Sequence, residues 1–118
     1  VWAVRGNHDT PGRHRRDVNT EILKKSGIRI LENEWQKTKT GLVIVGIEDL
    51  TASRRHPRKG RANLESALDR RPQGPNIFLS HTPWLTSSAA KQKVDLIAVG
   101  RANLKDSEWI KRARKELI

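Results

Sequence analysis

Apolar residues along this chain gather in four short runs, at positions 1–4, 42–47, 76–80 and 94–99, with polar stretches between them. Runs of four to six residues rich in Val, Ile, Leu and Phe, bounded by Gly, Pro or Asn, predict buried β-strands rather than helices. A fifth, short strand is predicted at 28–31. Glu32-Asn33-Glu34 reads as a turn after it, with residues 35–38 pairing back as a hairpin, and Thr40-Gly41 as a second turn.

Helical spacing occupies the gaps. Asp17 is a suitable N-cap for a helix carrying Val18, Ile22 and Leu23 as a narrow apolar stripe, with Gly27 as its stop. After a polar, basic loop at 51–60, Asn63 is placed to cap a helix with Leu64, Ala67 and Leu68 on one face. Arg70 and Arg71 suit its negative C-terminal end, and Pro72 ends it. Thr82-Pro83-Trp84 breaks the 76–80 strand ahead of a short helix. From Asp106 a last helix is predicted, with Glu108 and Arg112 as an i,i+4 pair and Trp109, Ile110, Ala113 and Leu117 toward one side. Strands alternating with helices predict an α/β fold in packed layers, helices against β-sheets. The word Gly-Arg-Ala-Asn-Leu occurs at 60–64 and again at 100–104 with nothing similar around it, which does not make a repeat architecture.

Length and composition narrow this picture. A chain of 118 residues makes one small domain at most, or part of a larger one. Since it opens inside a predicted strand, a fragment or a truncated reading frame is expected. With 24 basic and 13 acidic residues the net charge is +11, which favours anionic partners. Cys is absent, so disulfides and thiolate metal sites are excluded and the compartment stays open. No apolar run approaches the roughly 18 residues of a membrane span.

The residues able to do chemistry stand at strand ends, the edge where α/β sheets bind ligands. Gly6 stops the first strand, and Asn7, His8 and Asp9 follow it. Asn7 offers an amide oxygen, His8 a nitrogen or a proton, and Asp9 a carboxylate able to orient an imidazole. The same residues are also ordinary turn chemistry. Glu48 and Asp49 follow the 42–47 strand; paired acids at a strand end can serve as ligands or general acids, and more often cap the next turn, the reading adopted for this pair. His81 ends the 76–80 strand. His14 sits in a basic loop with Arg13, Arg15 and Arg16 and reads as solvated.

A strand running into Gly6-Asn7-His8-Asp9 resembles the third signature block of the calcineurin-like metallophosphoesterases. The resemblance extends through Gly27-Ile28-Arg29-Ile30-Leu31-Glu32-Asn33-Glu34, Gly46-Ile47-Glu48-Asp49-Leu50 and Asn76-Ile77-Phe78-Leu79-Ser80-His81-Thr82-Pro83. It covers about 1–100 of a single partial domain at 1–118, with 101–118 divergent. It looks like the bacterial subgroup related to exported and membrane-surface phosphodiesterases, so the resemblance leaves a cytoplasmic or a membrane-surface location open. It implies that Asn7 and His81 are metal ligands, that His8 acts on the phosphoryl or leaving-group oxygen, and that Asp9 holds His8. It also implies two divalent cations in the intact enzyme, with Mn, Fe, Zn, Mg and Ni all compatible with such ligands. In that chemistry the pair, roughly 3.5–4 Å apart, clamps phosphoryl oxygens and activates a bridging water. The implied substrate is a phosphorylated small molecule or lipid.

Three expected pieces are not in the chain. The family's Asp-x-His and Gly-Asp blocks have no counterpart among these residues, and its closing Gly-His-x-His reads Gly100-Arg101-Ala102-Asn103. Arg cannot ligate a cation and repels one. Weak single-metal binding, with no turnover by the chain alone, is the expectation, and His8 and His81 are expected to share one cleft. Two other readings compete: a non-catalytic basic module binding nucleic acid or anionic surfaces through the 13–16, 54–61 and 111–115 clusters, and a decayed paralogue without activity. Sheet edges left open by missing strands are expected to favour association.

The charge makes a test of its own. Binding to a scrambled DNA duplex should be weak and sequence-independent, and should fall steeply between low and moderate salt as neutralised phosphates release counterions. His81→Ala should leave it unchanged. Tight, salt-insensitive and sequence-selective binding in a fluorescence titration would favour the basic-module reading.

Overall fold

The computed structural model describes residues 1–6, 18–50 and 57–100. They form an α/β fold of two sheets and three helices. In chain order these are β1 (Trp2–Ala3), α1 (Val18–Lys25), β2 (Arg29–Ile30), β3 (Glu34–Lys37), β4 (Val43–Gly46), α2 (Pro57–Leu68), β5 (Asn76–Ser80), a 3₁₀ turn (Pro83–Leu85), α3 (Thr86–Lys91) and β6 (Leu96–Val99). The predicted turn at 10–12, the 13–16 loop, the Asp17 cap and the helix from Asp106 lie outside the described residues, as do positions 51–56 of the predicted loop.

β4 lies inside the larger sheet, whose order is β3-β4-β5-β6. β3 runs antiparallel to β4, and β4, β5 and β6 are mutually parallel. A strand covered on both faces needs apolar side chains on both, which is why Val43, Ile44 and Val45 read as an unbroken run. All four residues of β4 are buried. Alternation sends Val43 and Val45 to one face. There they join Ile47, Leu50 and Phe78 with Leu64 and Ala67 of α2, Leu85 of the 3₁₀ turn and Ala89 of α3. Trp35 and Ile97 pack against this core from β3 and β6. Each fully buried large side chain of this kind contributes about 1.5–3 kcal/mol relative to exposure.

The opposite face of β4 carries Ile44 and Gly46 and meets the second sheet, in which β1 pairs in parallel with β2. A Cβ on Gly46 would overlap Leu31 Cβ and lie 2.8 Å from Val4 Cγ1. Leu31 is 2% exposed. The two sheets therefore touch over a glycine, and the fold is layered, with α2 and α3 on one side of the large sheet and the small sheet, against which α1 packs, on the other. The ladder between β1 and β2 is short, with Arg29 N donating to Val1 O and Leu31 N to Ala3 O, both at 2.9 Å. The Arg5–Glu32 ion pair and the Arg29 guanidinium 5.3 Å above the Trp2 ring add to it at the surface.

Several predicted features are placed differently by tertiary contacts. Residues 34–37 pair forward with β4, not back with β2. Asn33 takes a left-handed φ of 57° and its Oδ1 accepts from Glu48 N at 3.1 Å, which steers the chain out of the small sheet and into the large one. Trp35 Nε1 then donates to Asp69 O at 2.7 Å, fastening β3 to the end of α2. α2 starts at Pro57, inside the predicted loop, because a first-turn proline loses no helical hydrogen bond. Asn63 is thus within the helix rather than capping it. On α1, Ile22 is 56% exposed while Leu23 is half-buried and Thr20 buried, so the apolar stripe predicted there does not bury Ile22. The stop at Gly27 is as expected: its φ is 78°, Gly27 N donates to Lys24 O and Ile28 N to Leu23 O, a Schellman closure. The two Gly-Arg-Ala-Asn-Leu words begin in different settings, Gly60 within α2 and Gly100 just after β6.

Gly46→Ala should destabilise the chain by about 1–3 kcal/mol, the usual range for overpacking a filled interior. A urea titration followed by tryptophan fluorescence measures it; an unchanged midpoint would mean that the sheets are not in contact at this point.

Candidate functional site

β4, β5 and β6 are parallel, so their C-terminal ends share one edge of the sheet. Leu79 O accepts from Ile47 N at 3.3 Å, and Ser80 O accepts from Gly100 N at 3.0 Å, which carries the pairing one residue beyond β4 and β6. His81 stands at this edge, directly after β5. Ser80 Oγ donates to Thr82 O at 2.7 Å in a buried contact, turning the chain sharply around His81. Thr86 Oγ1 donates to Pro83 O at 2.9 Å, fixing the 3₁₀ turn into α3. His81 itself is half-buried.

The imidazole lies against two glycines. An ideal Cβ on Gly6 would be 2.8 Å from both Nδ1 and Cε1 of His81, and one on Gly100 would be 2.8 Å from Nδ1. Gly6 is buried and follows β1; Gly100 follows β6. Ends of both sheets thus meet at one ring. Asn7, His8 and Asp9 lie outside the described residues, and so do Arg101 and Asn103. Of the four candidate site residues, His81 is the one whose surroundings are described. Gly6, the residue before Asn7, touches it.

Glu48 has a structural role here. Its carboxylate Oε1 accepts from Asn63 Nδ2 of α2 at 2.9 Å, while its N–H goes to Asn33. The carboxylate ties a helix to the end of β4; the turn that Glu48 and Asp49 are predicted to cap runs into positions 51–56, outside the described residues. A similar tie was missed in the sequence: Asp95 Oδ2 accepts from Asn76 N at 2.8 Å and Asn76 Nδ2 at 3.0 Å, joining the start of β5 to the approach of β6. A lone Asp inside an apolar strand run was the available signal.

Two grooves among the described residues are lined by neither His81, Gly6 nor Gly100. One, of about 360 Å³, lies between α2 and α3 with Arg61, Glu65, Asp69 and Lys91 on its walls. The other, of about 410 Å³, runs along β2 and β3 past Trp2 and Arg29. Charges of both signs line each, and neither contains a histidine.

A divalent metal fits this edge in one respect. The glycine cradle brings backbone close around a histidine ring, and the ring supplies one nitrogen donor. Among the described residues no group of three His, Asp or Glu side chains forms a metal site. These residues therefore provide one ligand and not a complete centre.

No protein-family model, no curated protein and no solved structure matches the chain.

Glu48→Ala should cost about 1–3 kcal/mol, because the part-buried Asn63 amide loses its acceptor. It should leave Mn²⁺ affinity unchanged. Urea unfolding and a Mn²⁺ titration of the same variant check both halves; a loss of metal affinity with stability intact would move Glu48 from the scaffold into the site.

Proposed function

We propose that the chain is part of a dinuclear metallophosphoesterase domain that hydrolyses phosphomonoester or phosphodiester bonds, and that these 118 residues alone do not turn over substrate. The observation that carries the reading is the contact between Gly6 and the His81 ring. It joins, at one sheet edge, the two sequence words in which the metallophosphoesterase resemblance is strongest.

In this reading Asn7 and His81 hold a divalent cation through an amide oxygen and an imidazole nitrogen. Mn, Fe, Zn, Mg and Ni all accept such donors. When bound, a metal pair polarises the phosphoryl group and supplies an activated water. His8 donates a proton to the departing oxygen or stabilises charge building on the phosphoryl group, and Asp9 accepts from the His8 ring and fixes its tautomer. Replacement of the closing histidines by Arg101 and Asn103 removes donors and adds a positive charge that opposes cation binding. The substrate class is a phosphorylated small molecule or lipid, in keeping with the +11 charge.

A second reading, a basic surface for nucleic acid or anionic membranes, is favoured by α2, which exposes Arg58, Lys59 and Arg61 within one turn. No described helix is long and apolar enough to cross a membrane. Self-association would use β6, which ends the described sheet and leaves Leu96 56% exposed.

Calorimetric titration with Mn²⁺ should give one weak site that His81→Ala abolishes, and an aryl phosphodiester with Mn²⁺ should show no turnover. Equal Mn²⁺ binding by wild type and His81→Ala would remove His81 as a ligand. Turnover that disappears in His8→Ala would show the chain to be a complete catalyst.

A further inference from the structure

Gly6 lies three residues beyond β1 and Gly100 directly beyond β6, strands of different sheets, yet both lie against the same ring. Neither adopts a positive φ; among the described residues the glycines that do are Gly27, Gly41 and Gly74. Backbone conformation therefore does not require glycine at 6 or at 100. Space does. The three atoms nearest an ideal Cβ on Gly6 all belong to the imidazole: Cε1 and Nδ1 at 2.8 Å and Cγ at 3.2 Å. On Gly100 the Cβ would meet Nδ1 at 2.8 Å and the His81 carbonyl oxygen at 3.0 Å. Carbon atoms at such separations overlap, so even alanine at either position displaces the ring.

We infer that Gly6 and Gly100 are positioning residues that form a slot for the His81 imidazole, one wall from each sheet. The slot exists only while the small sheet is docked over Gly46, since that docking carries the end of β1 to the end of β5. Gly100 keeps its wall although the residues after it, Arg101 and Asn103, are not those of the resembling family. The use of this slot to aim a metal ligand rests on the phosphoesterase reading; the slot itself does not.

A double-mutant cycle on the full 118-residue chain tests the slot without metal. Gly6→Ala should raise the unfolding equilibrium constant about tenfold or more. In a His81→Ala background the same change should have an effect within about twofold, because the atoms it meets are gone. Gly100→Ala should be relieved only in part by His81→Ala, since the carbonyl oxygen at 3.0 Å stays. If Gly6→Ala does not fold alone, folding of the double variant supports the slot. A Gly6→Ala penalty that persists in the double variant overturns it. A second arm reads positioning directly: Mn²⁺ should broaden the His81 ring NMR signals of the wild type, and Gly6→Ala should need about tenfold more Mn²⁺ for the same broadening while methyl signals remote from the site keep their shifts. Equal broadening in the two proteins overturns the positioning role. Absence of broadening in the wild type defeats the phosphoesterase reading instead, and the cycle then decides the slot by itself.

Discussion

The contact of Leu31 and Val4 with Gly46 is the constraint on which the arrangement depends. The small sheet has only two short strands, and such a pair is marginal by itself in water. It is held because Leu31 buries its side chain against a bare stretch of β4 backbone. A methyl group there would fill the space that Leu31 occupies. Packing in protein interiors is dense enough that this displacement would be felt along the whole of β1.

From that contact the edge around His81 follows. β1 is carried over the large sheet, and Gly6 beyond it reaches the ring. The β5–β6 ladder brings Gly100 to the same ring, through the Gly100 N–H on Ser80 O. Backbone following β1, β5 and β6 thus converges on the imidazole. The polar ties nearby serve this scaffold: Glu48 to Asn63 anchors α2, Asp95 to Asn76 aligns β5 with β6, and Ser80 to Thr82 turns the chain at the histidine. The carboxylates of Glu48 and Asp95 are engaged in holding strands and helices in register.

Much of the architecture was legible in the residues themselves. The runs at 42–47 and 76–80 are strands because a central parallel strand must be apolar on both faces, and only such a run satisfies that. Gly27 and the Leu64, Ala67, Leu68 face report local helix geometry, which depends on neighbours three to five residues away. The strand-end position of His81 is legible for the same reason. What failed were readings that needed a distant partner. Residues 34–37 carry no mark saying which sheet they join; the Asn33–Glu48 hydrogen bond, across 15 positions, decides it. Ile22 has the spacing of a core residue yet stays 56% exposed. Asn63 has the chemistry of a cap, and Glu48 gave it another use. The glycines at 6 and 100 look in sequence like strand stops. Their purpose becomes visible only when two sheets close on one imidazole, because excluded volume is a property of atoms brought together by the fold and is written in no local pattern.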